Sequence, residues 1–135
     1  MKFIILLILA VGLNSAQAIT FEVIGKNNQV ILSQTAEADL SKNLGVISIS
    51  VFNENKIRFQ GSEFGISNLA ELGQDIDVIS DSEMKAYGWC FSIDEKISET
   101  MPDQTWIQNQ QSGVRWFYGY AHYKYGDWVG QCLKD

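Results

Sequence analysis

VRWFYGYAHY, residues 114–123, has two different faces: Val114, Trp116, Tyr118, Tyr120 and His122 alternate with Arg115, Phe117, Gly119, Ala121 and Tyr123. A two-residue period is what a sheet strand imposes, because successive side chains point to opposite faces. The following Tyr125-Gly126-Asp127-Trp128 reads as a turn that reverses this strand into a terminal strand carrying Cys132.

The same reading extends upstream. MKAYGWCFSI (84–93) and DIDVIS (75–80) read as strands, and WIQ (106–108) as a short one after a polar connection that holds the only proline, Pro102. ITFEVIG (19–25), a turn at Lys26-Asn27-Asn28 and QVILSQ (29–34) form a hairpin pattern. TAEADLSKN (35–43) is a loop or single turn. GVISISVF (45–52), β-branched and alternating, is expected to be a central strand, turning at Asn53-Glu54-Asn55-Lys56 into IRFQG (57–61). The helix is expected at Ile66–Leu72, with Ile66, Leu69, Ala70 and Leu72 at helical spacing, Ser67 as N-cap and Gly73 ending it. Several strands around one short helix make an α+β domain.

The first eighteen residues, MKFIILLILAVGLNSAQA, have the layout of a signal peptide: Lys2, an apolar run from Phe3 to Leu13, a polar break at Asn14-Ser15 and small residues at Ala16 and Ala18. The expected organisation is a signal peptide at 1–18 and a single domain at 19–135, secreted or periplasmic. No later apolar stretch approaches the roughly twenty residues of a membrane helix, so no membrane insertion is expected after cleavage. Removing Lys2 leaves 9 basic against 16 acidic side chains. Without a Lys/Arg cluster nothing neutralises phosphates, and nucleic acid is not an expected partner.

Cys90 and Cys132 are the only cysteines, and neither lies in a CxxC spacing. In an oxidising compartment they are expected to pair, closing a loop of about 43 residues for roughly 3 to 4 kcal/mol of stability. The alternative is two buried, unpaired thiols.

The catalytic inventory is thin. His122 is the single histidine and sits in an aromatic strand, there is no GxSxG elbow, and the acids show no HExxH or EF-hand spacing. Asp75, Asp77, Asp81 and Glu83 form an acidic run that reads as a solvated loop and strand edge. Neither catalytic nor metal-ligating residues are assigned, and no cofactor is expected. Aromatic density stands out instead: eleven large rings lie between Tyr87 and Trp128. That is more than one face of a small sheet buries, so a share should be exposed as a binding face.

YGWCFSIDEKI (87–97), MPDQTWI (101–107) and GVRWFYGYAHYKYGDWVGQC (113–132) together resemble the transcobalamin and intrinsic-factor C-terminal-like domain family, small β-grasp modules of many secreted bacterial proteins. The likeness covers about residues 44–132. Tyr87-Gly88-Trp89 would correspond to the family's aromatic strand, Ile93-Asp94-Glu95 to its Val-Asn-Gly turn, and Gly113-Val114-Arg115-Trp116 to the strand after its Gly-Asp step. Glu95 replaces the usual turn glycine, and Ser112-Gly113 the Gly-Asp pair. The resemblance implies a ubiquitin-like β-grasp, a mixed sheet with one short helix. In the vitamin carriers this domain covers one face of a corrinoid whose other side is held by a helical barrel, which this sequence lacks.

The expected function is a non-enzymatic module that recognises a small molecule or a partner protein through its C-terminal aromatic strands, with Trp89, Trp106, Trp116, Tyr118 and Tyr120 as contact residues. The alternative is an assembly protein pairing through an exposed strand edge.

Overall fold

Leu44–Glu54 is the helix of the fold, α1, and the central strand expected at 45–52 does not exist. Asn43 caps it, its Oδ1 accepting the Val46 N–H at 2.9 Å. Leu44, Ile47, Ser48, Val51 and Phe52 are buried, the i, i+3, i+4, i+7, i+8 set of one helical face. The helix expected at Ile66–Leu72 is instead a hairpin of β4 (Gly65–Leu69) and β5 (Leu72–Gly73), turning through Ala70 and Glu71, both at positive φ. With β3 (Phe59–Ser62) these strands form a small sheet, order β3-β4-β5.

The computed structural model describes residues 17–108 and 112–135. The predicted signal peptide lies outside the described residues apart from Gln17 and Ala18, which open β1 (Gln17–Ile24). β1 pairs antiparallel with β2 (Val30–Ala38), which takes in the first residues of the expected 35–43 loop. On its other side β1 runs parallel to the first half of β9 (Gly113–Lys124). β9 is antiparallel to β7 (Glu83–Ile93) along its whole length, and β7 pairs with β6 (Asp75–Ser80) and the short β8 (Lys96–Ile97). The large sheet therefore has the order β2-β1-β9-β7-β6, with β10 (Asp127–Leu133) against the second half of β9. Residues 106–108, expected as a strand, lie in an irregular connection. The whole is one small α+β domain, a mixed sheet with a single α-helix among the described residues.

One face of the large sheet is covered by α1 and the small sheet. Phe21, Val23, Phe91, Val114 and Trp116 from the strands meet Leu44, Ile47, Val51, Phe52 and Leu69 there. The Phe52 ring centroid lies 5.9 Å from that of Phe21 and 6.0 Å from that of Trp116. Each large side chain taken fully out of water contributes about 1.5–3 kcal/mol.

Cys90 and Cys132 are joined in a disulfide, with Cα atoms 5.9 Å apart, which excludes the free-thiol alternative. Because β9 lies between β7 and β10, the tail must pass over β9 to bring the sulfurs together. It does so at Gly119, where a Cβ would stand 2.9 Å from the Leu133 carbonyl oxygen. Among the described residues no helix is long and apolar enough to cross a membrane.

Candidate functional site

Directly paired residues of adjacent strands share a face, so the β7–β9 register sorts the aromatic strands into two sides. On the helix-covered side Phe91, Trp89, Tyr87 and Lys85 stand opposite Trp116, Tyr118, Tyr120 and His122. On the other side Cys90, Gly88, Ala86 and Met84 stand opposite Phe117, Gly119, Ala121 and Tyr123.

The expected contact residues separate on this frame. Trp116 is a correction: it is 1% exposed, and its Nε1–H donates to Ser48 Oγ at 2.9 Å, so it belongs to the core. Trp89 and Tyr118 are half-buried, with their polar tips committed to the small sheet. Trp89 Nε1 donates to the Leu72 carbonyl at 2.7 Å and the Tyr118 hydroxyl to the Gly73 carbonyl at 2.8 Å. Burial first, and then the nearby Asp75 carboxylate, raise the Tyr118 phenol above its ordinary range. Tyr120, also half-buried, sits beside Tyr87 and His122, with the Lys85 ammonium 4.4 Å from its ring centroid. Trp89, Tyr118 and Tyr120 thus form one cluster around Tyr87, which stacks on Tyr118 at 5.5 Å. Trp106 does not join them; it is 47% exposed in the connection before β9.

Asp135 lies against the cluster. The Asp135 carboxylate accepts from Lys85 Nζ at 3.0 Å and from the Tyr87 hydroxyl at 2.9 Å. These two bonds hold its pKa below the ordinary carboxylate value. His122 is likewise engaged, its Nε2 lying 2.8 Å from Glu83 Oε1. Among the described residues no three His, Cys, Asp or Glu side chains gather as a metal site.

Open space lies on the opposite face instead. A cleft of about 420 Å³ is floored by Ala86, Gly88, Gly119 and Ala121 and bounded by Ile76, Gln74 and Gln131, with the Cys90–Cys132 bridge in its lining. The two glycines are directly opposite one another, but only Gly119 is crowded. A Cβ at Gly88 would meet nothing within 4 Å. Ile76 and Val78, 61% and 69% exposed, continue this apolar surface along β6, and Trp128 of β10 is 51% exposed. The aromatic count in the sequence pointed to rings. The open surface is made of small residues, and the signal for it was the coincidence of Gly88 and Gly119 at facing positions, invisible until the register is known.

No family model and no curated protein matches the chain. Among solved structures it is similar to a crystal structure from Ruminococcus gnavus described as a "putative metal binding protein", at 22% identity and a TM-score of 0.50, covering 76% of this chain and 95% of that one. At that identity the likeness concerns the fold alone.

Proposed function

We propose that this chain is a non-enzymatic, exported binding module of the β-grasp kind, which takes a ligand in the Gly88 cleft rather than on the aromatic cluster. The β-grasp reading is supported by the β1–β2 hairpin, the helix that follows it, and the parallel pairing of β1 with β9 at the centre of the sheet. It agrees with the resemblance to the transcobalamin C-terminal-like domains, whose quoted motifs fall on β7 and β8, on the connection before β9, and on β9 and β10. Export is supported by the disulfide, since such bonds persist in oxidising compartments.

The observation that carries the binding reading is the bare floor at Gly88. Glycine in the interior of a strand costs about 0.5–1 kcal/mol against a residue with a side chain. Where the fold itself does not need the space, an approaching ligand is a reason to keep it. The rings of Trp89, Tyr118 and Tyr87 have their polar groups engaged within the chain, which leaves them as a support beneath the floor. The description of the Ruminococcus gnavus neighbour raises cation binding as a second reading; the donor groups for it are not gathered among the described residues.

The test is a thermal-shift screen of the oxidised protein against corrinoids, sugars, flat heterocycles and divalent cations, run in parallel on Gly88→Phe. A ligand present at a hundredfold excess over its dissociation constant adds about 2.7 kcal/mol. The expected result is a shift in the wild type that disappears in Gly88→Phe. A ligand that shifts both proteins equally binds elsewhere and defeats the reading.

A further inference from the structure

We infer that the free edge of β6 is a docking site for an extended segment of a partner protein, one that alternates apolar with basic residues. This edge adjoins the Gly88 cleft, whose lining includes Asp75 and Ile76, but the inference rests on the strand edge and stands whether or not the cleft is a ligand site.

β6 pairs with β7 on one side and has no strand on the other, among the described residues. All six of its residues are exposed. Natural sheets blunt such an edge with charged side chains, lysine above all, or with proline, bulges or cover, because its unpaired N–H and C=O groups invite another strand. β6 carries neither lysine nor proline; its only charges are Asp75, whose Oδ1 accepts the Ile76 N–H at 2.9 Å, and Asp77, and its regular pairing runs over Asp75–Val78 before a register shift.

The side chains of β6 specify the occupant. Ile76 and Val78 lie on the cleft side of the sheet, while Asp75 and Asp77 lie on the side of Tyr87 and Lys85. Neither aspartate, nor Asp81 in the turn after β6, takes part in an ion pair found among the described residues. Lys85, which is opposite Asp77, is bound to Asp135 instead. A strand added beside β6 places its own alternate side chains across from these two sets. The complement is therefore apolar residues against Ile76 and Val78 and lysine or arginine against Asp75 and Asp77. A second copy of this chain does not meet that requirement. The face-matched antiparallel registers with greatest overlap set Asp75 opposite Asp77, Asp77 opposite itself, or Asp75 opposite Asp81, and like charges directly opposed are destabilising.

The experiment uses the oxidised full chain and three dye-labelled octapeptides read by fluorescence anisotropy at low ionic strength: alternating Val-Lys, alternating Val-Glu, and Val-Lys interrupted by a central proline. The expected result is at least tenfold tighter binding of Val-Lys than of either other peptide, with slowed amide exchange at residues 75–80 on binding. Asp75→Lys/Asp77→Lys should invert the preference toward Val-Glu. Asp75→Asn/Asp77→Asn, which adds no charge, should weaken Val-Lys at least tenfold with the circular dichroism unchanged. Equal binding of the intact and proline-interrupted Val-Lys peptides would reduce the effect to charge without strand addition and overturn the proposal. Val-Lys binding that survives both double variants would do the same, as would concentration-dependent self-association that protects 75–80 without any peptide.

Discussion

Gly88 and Gly119 face each other across β7 and β9 for opposite reasons. Gly119 lies beneath the crossing tail, so a Cβ there would come within 2.9 Å of the Leu133 carbonyl oxygen and 3.2 Å of the Phe117 ring. Gly88 faces open space. Gly119→Ala is therefore expected to destabilise the protein by about 1–3 kcal/mol through overpacking. Gly88→Val should stabilise it by roughly 0.5–1 kcal/mol by restoring strand propensity. Melting temperatures of the two variants check this; a Gly119→Ala protein as stable as wild type would remove the account of the crossing.

The bridge that this crossing permits joins residues 42 apart in sequence. Cys90→Ala/Cys132→Ala should lose about 3–4 kcal/mol on the chain-entropy account. That corresponds to a fall in melting temperature on the order of 15 °C. Calorimetry with and without reductant gives the same comparison on the wild type, and a loss of under a degree would show that the tail is held without the bond.

Ser48 and Trp116 form a buried pair, the serine hydroxyl accepting the indole N–H. Ser48→Ala leaves that N–H without an acceptor in the core and should cost about 1–3 kcal/mol. In a Trp116→Phe background the same serine change should cost much less, since the donor is already gone. Urea unfolding of the single and double variants measures the coupling, and strict additivity would refute the pair.

How much of this was legible follows from such particulars. The four strands β1, β6, β7 and β9 were readable because each shows a two-residue period or a β-branched run between turn residues. The terminal strand followed from the turn after the last run, and the Cys90–Cys132 pairing from two lone cysteines in a chain read as exported. The helix and the β4–β5 hairpin were exchanged, for a physical reason. Ile47, Ile49 and Val51 alternate as a strand would, but Leu44, Ile47, Ser48, Val51 and Phe52 also satisfy the helical period, and a short apolar run cannot be assigned by period alone. The capping Asn43 was the deciding signal. In Ile66–Leu72 the helical spacing was accidental, because Ala70 and Glu71 adopt positive φ without the Asn or Gly that announces such a turn. Trp116 and Tyr118 occupy one face of β9. Which of them is sealed depends on how far α1 and the small sheet extend over that face, which no local pattern encodes.

Trp89 and Tyr118 act here as anchors for β5. Trp89→Phe and Tyr118→Phe each remove one hydrogen bond to the Leu72 or Gly73 carbonyl and keep the ring. Each is expected to cost about 0.5–1.5 kcal/mol. The local signature is faster amide exchange at residues 70–74 with the exchange of β7 unchanged. Uniform acceleration across the sheet would contradict an anchoring role.

The Asp135 tie over Tyr87 makes the tail sensitive to acid. Its carboxyl is held below the ordinary value, first by Lys85 and then by Tyr87, so its contribution is complete above the unfolded-state pKa and is lost as pH falls through the folded-state one. Lys85 is raised, chiefly by its bond to Asp135, so its contribution persists below its unfolded-state pKa and is lost only as pH rises through the folded-state value. Tyr87 is also raised, by burial first and then by the bond to Asp135, which keeps its hydroxyl a donor on the alkaline side. The tie is therefore intact across neutral pH and opens only in acid, at a pH below the range where free carboxylates protonate. Nuclear magnetic resonance of the Tyr87 ring and the Lys134 and Asp135 amides between pH 7 and 2 should show one acid transition that Asp135→Asn lacks. The disulfide at Cys132 keeps the preceding residues in place, so far-ultraviolet circular dichroism should stay constant through that transition. If the same resonances move equally in Asp135→Asn, the acid sensitivity belongs to another group and the tie is not its cause.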